Sequence, residues 1–287
     1  MSYLVFDIET IPDLSVWTPP PVDPPPANPA APLPGQLTIV GAPAATPSTD
    51  SGIVIPPVGT PAKKSRSRKK PVDPNEPPKE PFPPLYAHRV IAIGFALFDD
   101  ALNLQHIGCV GHDDEPKLIN DFSAWLAQIP GTVVTFNGRT FDVPVLGLRS
   151  LRLGLSQHWN TVQHRRRYAE EHHLDLFDAI TEYGALGRTG FSLDALAQVI
   201  GLPAKGEVDG TKVRAMYANG EHAKIQLYCT ADAAKTSFLL FRYALMRGRI
   251  DLATYRLAAA ALFQVCIDRG LTNVTFAADQ QRLLLNG

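Results

Sequence analysis

At 287 residues with 45% hydrophobic side chains, the chain can hold one large domain or two ordinary ones around a sizeable core. Its formal net charge of −1 excludes a global pull on polyanions, so a nucleic-acid partner has to be held by local basic patches and metal ions. Cys109, Cys229 and Cys266 lack CxxC spacing, which argues against a structural zinc site or a disulfide framework and fits a reducing compartment, with cytoplasm as the expectation. The N-terminus shows no basic region followed by an apolar core, and no apolar run approaches spanning length, so neither export signal nor membrane anchor is expected.

The first element is Tyr3-Leu4-Val5-Phe6-Asp7-Ile8-Glu9-Thr10, an apolar run too short for a helix and interrupted by two carboxylates. It reads as a buried strand carrying acid. Alternation places Asp7 and Glu9 on one face, where like charges call for a cation, a shared proton or open water. An edge strand with a solvated acidic rim is the plain alternative, and partners elsewhere in the chain have to decide.

From Pro19 to Pro84 the composition changes: this segment holds 21 of the 26 prolines and one aromatic residue, Phe82. With little to bury, it cannot offset its ordering entropy and is expected to be a disordered insertion. Its basic cluster, Lys63 to Lys70, either tethers phosphates or solubilises a linker, and the linker is the preferred reading. Arg89 to Phe98 and Leu104 to Val110 then form a hairpin around Asp99-Asp100, and the first strand is expected to pair with both arms.

Pro116 to Ile129 has helical spacing and opens on proline. Thr132 to Phe136 is a further strand, leading through Asn137-Gly138 to a helix whose first turn contains Pro144. Asp142 thus stands at a helix N-terminus, where the macrodipole favours its ionised form. From His172 onward the pattern is helical: Leu174 to Tyr183, Ser192 to Ile200, Thr211 to Asn219, and a long helix from Glu221 to Arg247 that sets Tyr228 and Asp232 on one face. Ile250 to Gly287 begins with an amphipathic helix to which packing, and no chemistry, is assigned. Strands alternating with helices say α/β.

Asp7, Glu9, Asp142 and Asp232 therefore come from three separated elements. Four carboxylates suit hard divalent cations such as Mg²⁺, and such a set permits metal-assisted phosphoryl transfer. Tyr228, one turn before Asp232, is placed to hold a water by its hydroxyl.

Asp7-Ile8-Glu9, Asn137-Gly138 with Phe141-Asp142, and Tyr228 with Asp232 four residues later resemble the three motifs of the DEDDy 3′-5′ exonucleases. The stand-alone members related to the proofreading domain of family-B DNA polymerases are the most similar group. They are also matched by His173-Leu174-Asp175-Leu176, Tyr183-Gly184-Ala185, Ser192-Leu193 and Gly201-Leu202-Pro203 with Lys205. The histidine subtype would place histidine where this chain has Leu227. The resemblance runs from Tyr3 to about Arg247, and the proline-rich insertion has no counterpart in it. It implies a ribonuclease H-like fold, a mixed central β-sheet flanked by α-helices, and two divalent cations, Mg²⁺ or Mn²⁺. It further implies that Asp7, Glu9 and Asp232 ligate metal, with Asp142 acting largely through metal-bound water. Thr10, Asn137 and Phe141 are candidate substrate-binding residues, although Asn137 can equally close its own turn.

The expected organisation is an exonuclease domain over residues 1–18 and 85–247, the insertion at 19–84 and a helical extension at 248–287. The expected activity is metal-dependent hydrolysis from the 3′ end of single-stranded nucleic acid, DNA favoured over RNA. An exoribonuclease of the same fold and a non-catalytic nucleic-acid-binding module are the alternatives. Asp175, Asp178 and His173 read as helix-start, solvated and packed residues. His164 to Arg167 either grip phosphate or sit on a solvated face.

Overall fold

The computed structural model describes residues 2–21, 81–111, 113–161, 163–203, 210, 212–271, 274 and 284–285. Met1–Thr18 with Phe82–Gly287 forms one compact unit. The expected disorder of the insertion, its basic cluster and Lys205 fall on residues outside the described ones.

Five strands make one sheet in the order β3-β2-β1-β4-β5. They are β1 (Ser2–Pro12), β2 (His88–Phe98), β3 (Leu104–Gly111), β4 (Gly131–Thr135) and β5 (His173–Asp175). β1 pairs antiparallel with β2 and parallel with β4, and β4 pairs parallel with β5. This mixed sheet, covered by helices on both faces, is the ribonuclease H-like fold. The first strand does not pair with both arms of the hairpin, however: β3 lies on the far side of β2, because the second edge of β1 is taken by β4.

The helices are α1 (Glu115–Leu126), α2 (Asp142–Leu153), α3 (Leu176–Ile180), α4 (Leu193–Val199), α5 (Val213–Ala218), α6 (His222–Met246) and α7 (Leu252–Asp268). Their starts follow local chemistry. Asp114 accepts from Lys117 N at 3.0 Å to cap α1, with Pro116 in its first turn, and Ser192 caps α4 through Ala195 N. Where a helix from Leu174 was expected, His173–Asp175 instead forms β5, and Asp175 caps α3 by accepting from Phe177 N. Three residues are too few for a strand period to be read, and the pairing with β4 is a tertiary contact.

Alternation along β1 sorts the core. Leu4, Phe6 and Ile8 pack with α1 and α2 residues such as Phe122 and Leu146. Val5, on the other face, joins a cluster built by α3, α4, α6 and α7, which includes Phe238, Tyr255 and Leu262. α7 is thus part of the main core.

A buried ionic cluster fixes the exit of β1. Arg149 on α2 donates to Glu115 Oε1 at 2.7 Å and to Asp13 Oδ2 at 2.7 Å, while Glu115 also accepts from Val90 N at 2.8 Å. Burial works against the Asp13 carboxylate, but hydrogen bonds from Ser15 and Arg149 bring its pKa down to about 2. Asp13 N donates to Ala87 O at 2.7 Å, so the chain leaves β1 beside the point where it returns to β2.

Candidate active site

Val5, Asp7 and Glu9 share the face of β1 that meets α6. Asp7 lies across the ladder from Gly94, and Glu9 from Ala92. A Cβ at Gly94 would stand 2.3 Å from the backbone oxygen of Cys229, so only glycine lets the helix backbone rest against the strand here. Gly94 N also donates to Cys229 Sγ at 3.0 Å. This close approach carries Tyr228 and Asp232 to the two acids of β1.

Asp142 arrives from the opposite side. Asn137, at φ +63°, turns the chain out of β4, and Asp175 holds that turn by accepting from Asn137 N at 2.8 Å and Arg139 N at 2.9 Å. α2 then starts at Asp142, whose Oδ1 accepts from Ile8 N at 3.1 Å. The backbone between Asp7 and Glu9 thereby anchors the third acid. The four carboxylates gather where the parallel strands β1 and β4 end, the edge at which open α/β sheets take their ligands.

Burial raises the pKa of all four acids, and the other site acids add to the rise at Asp7 and Glu9. Asp7 is pushed well up by burial and by Asp142, Glu9 and Asp232, and Glu9 by burial, Asp232 and Asp142. Asp142 rises to about 7, chiefly through burial, which outweighs the hydrogen bonds from backbone N–H groups. Desolvation therefore outweighs the pull toward the ionised form that the macrodipole exerts on Asp142. Asp232 is also raised by burial, against the pull of Lys235 and a hydrogen bond from the Tyr228 hydroxyl. The Tyr228 phenol is pushed up by burial and then by Asp232, Glu9 and Asp7, and it stays neutral.

Lys235 Nζ donates to Asp232 Oδ1 and Asp194 Oδ1, both at 2.9 Å. Burial opposes its charge, yet the two carboxylates hold its pKa above the ordinary lysine value. Among the described residues Lys235 is the one buried ammonium beside these acids, so hard cations would balance the charge they carry once ionised, and the oxygen-rich donor set fits Mg²⁺ or Mn²⁺. Asp7, Glu9 and Cys229 offer atoms within 4.8 Å of one another. Burial and the neighbouring Cys109 push the Cys229 thiol well up, so it remains protonated.

Around the acids, Thr10 Oγ1 lies 2.8 Å from His88 Nδ1. The Asn137 side-chain oxygen accepts from Thr140 Oγ1 at 2.7 Å and from Arg188, whose guanidinium stacks 4.4 Å over the Phe177 ring. Asn137 thus ties Thr140 and Arg188 to its turn. Phe141 packs its ring against His88 and Phe82. His173 is packed, its Nε2 accepting from Thr135 Oγ1 at 2.8 Å, and burial lowers its pKa to about 3. Asp178, expected to be solvated, is instead buried and bound by Arg167 at 2.7 Å, so this arginine of the basic run is engaged within the fold.

Lys235, Gly94, Cys229 and His88 had no assigned part in the site reading. Two of them left a signal: a glycine inside an apolar strand marks a close backbone approach, and Lys235 stands three residues after Asp232 on one helix face. His88 left none, because its partners come from both sides of the insertion.

Residues 80–274 match the family described as a predicted 3′-5′ exonuclease related to the exonuclease domain of PolB. The chain belongs to this PolB-related exonuclease family. Asp142, Tyr228 and Asp232 fall inside the matched region, and Asp7 and Glu9 precede it, separated by the insertion. No curated protein matches the sequence. Solved structures similar to this exonuclease-family chain include the family B DNA polymerase from the hyperthermophilic archaeon Pyrobaculum calidifontis, at 14% identity and a TM-score of 0.45. That match covers 71% of this chain and 26% of the polymerase, so the chain corresponds to about a quarter of the polymerase's length. Among the described residues no helix is long and apolar enough to cross a membrane.

Proposed function

We propose that this member of the PolB-related exonuclease family is a metal-dependent 3′-5′ exonuclease acting on single-stranded nucleic acid, with DNA preferred. The observation that carries the reading is the gathering of Asp7, Glu9, Asp142 and Asp232 around the Asp7-Ile8-Glu9 stretch of β1, where burial raises all four pKa values and repulsion from the other site acids adds to it at Asp7 and Glu9. The catalytic unit in this reading is residues 1–18 and 85–247, with α7 as a buttress.

Asp7, Glu9 and Asp232 would hold two divalent cations directly, and Asp142 largely through water. When bound, the cations supply charge at the scissile phosphate and lower the pKa of an attacking water. Tyr228, neutral and one turn from Asp232, orients that water through its hydroxyl. Lys235 draws Asp232 toward its charged form against burial and, through its hydrogen bond to Oδ1, fixes its rotamer. Asp175 and the Ile8 amide set the position of Asp142 before substrate arrives, the kind of preorganisation on which electrostatic catalysis depends.

The test is incubation of the purified protein with 3′-labelled and 5′-labelled DNA and RNA strands in Mg²⁺, Mn²⁺ or EDTA. Release of the 3′ label as a mononucleotide, abolished by EDTA and faster on DNA, is expected. Faster release from RNA would make the protein an exoribonuclease. Strand binding without hydrolysis in any metal would make it a non-catalytic module.

A further inference from the structure

The return of the chain into the fold is built around His88. Nε2 donates to the Pro83 carbonyl at 3.1 Å, so the neutral ring leaves Nδ1 to accept from the Thr10 hydroxyl at 2.8 Å. Burial lowers the His88 pKa and favours that neutral form. One imidazole thus ties the last residues of the insertion to the residue that follows Glu9. Phe141, which precedes Asp142, meets the same imidazole edge-on at 4.9 Å. Phe82 closes the group, its centroid 4.9 Å from His88 and 6.0 Å from Phe141. Its ring nevertheless remains 75% exposed.

A single exposed aromatic ring needs no explanation. Phe82 differs in being braced from behind by two rings, with hydrogen bonds leading from its support to the acid-bearing strand. A β-bulge after Glu9 re-aims Thr10 toward this support. With a net charge of −1, the chain has no overall field to hold a polyanion. Stacking on a rigid ring is an attraction indifferent to that charge, and it tolerates any base sequence.

We propose that Phe82 is a stacking surface for a nucleobase close to the 3′ end of the bound strand, with His88 as its positioning residue. This rests on the exonuclease reading above and adds to it a binding residue at the border of the insertion. The strand would lie with its terminal phosphodiester at the acids and a neighbouring base against the exposed ring.

The experiment compares the full-length wild type with Phe82→Ala and Phe82→Trp. It uses single-stranded oligonucleotides whose last three nucleosides are either intact or abasic. Binding is read by fluorescence anisotropy with Ca²⁺ in place of Mg²⁺, and hydrolysis by KM and kcat with Mg²⁺. Phe82→Ala should weaken binding of the intact strand by about tenfold, with the larger effect on KM. Phe82→Trp should restore it, and its indole emission should quench on binding. Removing the bases should weaken wild-type binding and leave Phe82→Ala almost insensitive. A wild type that hydrolyses strands with the same abasic penalty as Phe82→Ala would overturn this inference alone. A wild type that binds no strand would overturn the exonuclease reading and this inference with it.

Discussion

Asp7 and Gly94 face each other across the β1–β2 ladder, and the space of the missing Gly94 side chain is filled by the carbonyl of Cys229. The distance of α6 from the sheet, and hence of Asp232 from Asp7, is set by the absence of one methyl group. Gly94→Ala should force the helix outward, since the obstacle is backbone and cannot rotate away. A loss of about 1–3 kcal/mol of stability is expected, with hydrolysis reduced by more than the stability change explains. Thermal melts and single-turnover rates on the same preparation provide the check.

Asp7→Ala and Asp232→Ala should each reduce hydrolysis to background while the protein stays folded. Both remove a proposed metal ligand, and both relieve repulsion among the buried acids. In EDTA the Asp7→Ala protein should melt about 2–4 °C above wild type, corresponding to roughly 1 kcal/mol. Turnover near the wild-type rate in both variants would remove the site.

Tyr228→Phe should keep the ring's packing and lose the hydroxyl that meets Asp232. Metal affinity, measured by calorimetry, should hardly change, because a neutral phenol is a poor ligand for Mg²⁺. The single-turnover rate should fall by about ten- to a thousand-fold. An unchanged rate would leave Tyr228 as a packing residue.

Asp142 gives the metal-free protein a pH dependence. Its pKa of about 7 exceeds the ordinary 3.8, so the folded state binds this proton more tightly than the unfolded state. The resulting stabilisation is complete below 3.8 and is lost as pH rises through 7. In EDTA the melting temperature should therefore decline between pH 4 and 7.5 more steeply in wild type than in Asp142→Asn. Saturating Mg²⁺ or Mn²⁺ should recover stability at the upper end of that range.

Arg149→Ala should be the most destabilising of these substitutions. It strands the buried Glu115 without its cation and leaves the half-buried Asp13 with Arg152 alone, at 3.5 Å, a change that costs about 3–5 kcal/mol. Since the cluster also fixes the exit of β1, hydrogen exchange should rise first at Asp13 and Ala87. Uniform loosening of the whole sheet would argue against that local role.

The parts of this protein that follow a short period could be read from its residues. The strand with Asp7 and Glu9, the start of α2 at Asp142 and the Tyr228–Asp232 face of α6 all rest on spacing within one element. What escaped depends on contacts between elements. β5 is three residues long, and its identity comes from pairing with β4. The insertion of β4 beside β1 displaced the expected pairing with β3, a choice between two edges that local sequence does not encode. The raised pKa of Asp142 follows from its deep burial, which outweighs the opposing helix dipole. His88 joins Thr10 to Pro83 across an interval of more than 70 residues, beyond any local pattern.

The amide of Asp13 meets the carbonyl of Ala87, and Arg149 clamps the same corner. The two ends of the proline-rich stretch are therefore stitched together before that stretch begins, and the register of β1 against β2 is settled without it. Entropy of closure rises only as the logarithm of the number of residues enclosed, so this corner behaves as an open socket in the architecture. Segments of quite different length or composition could be exchanged there over evolutionary time, or grafted there by design, with the carboxylates on β1 keeping their place.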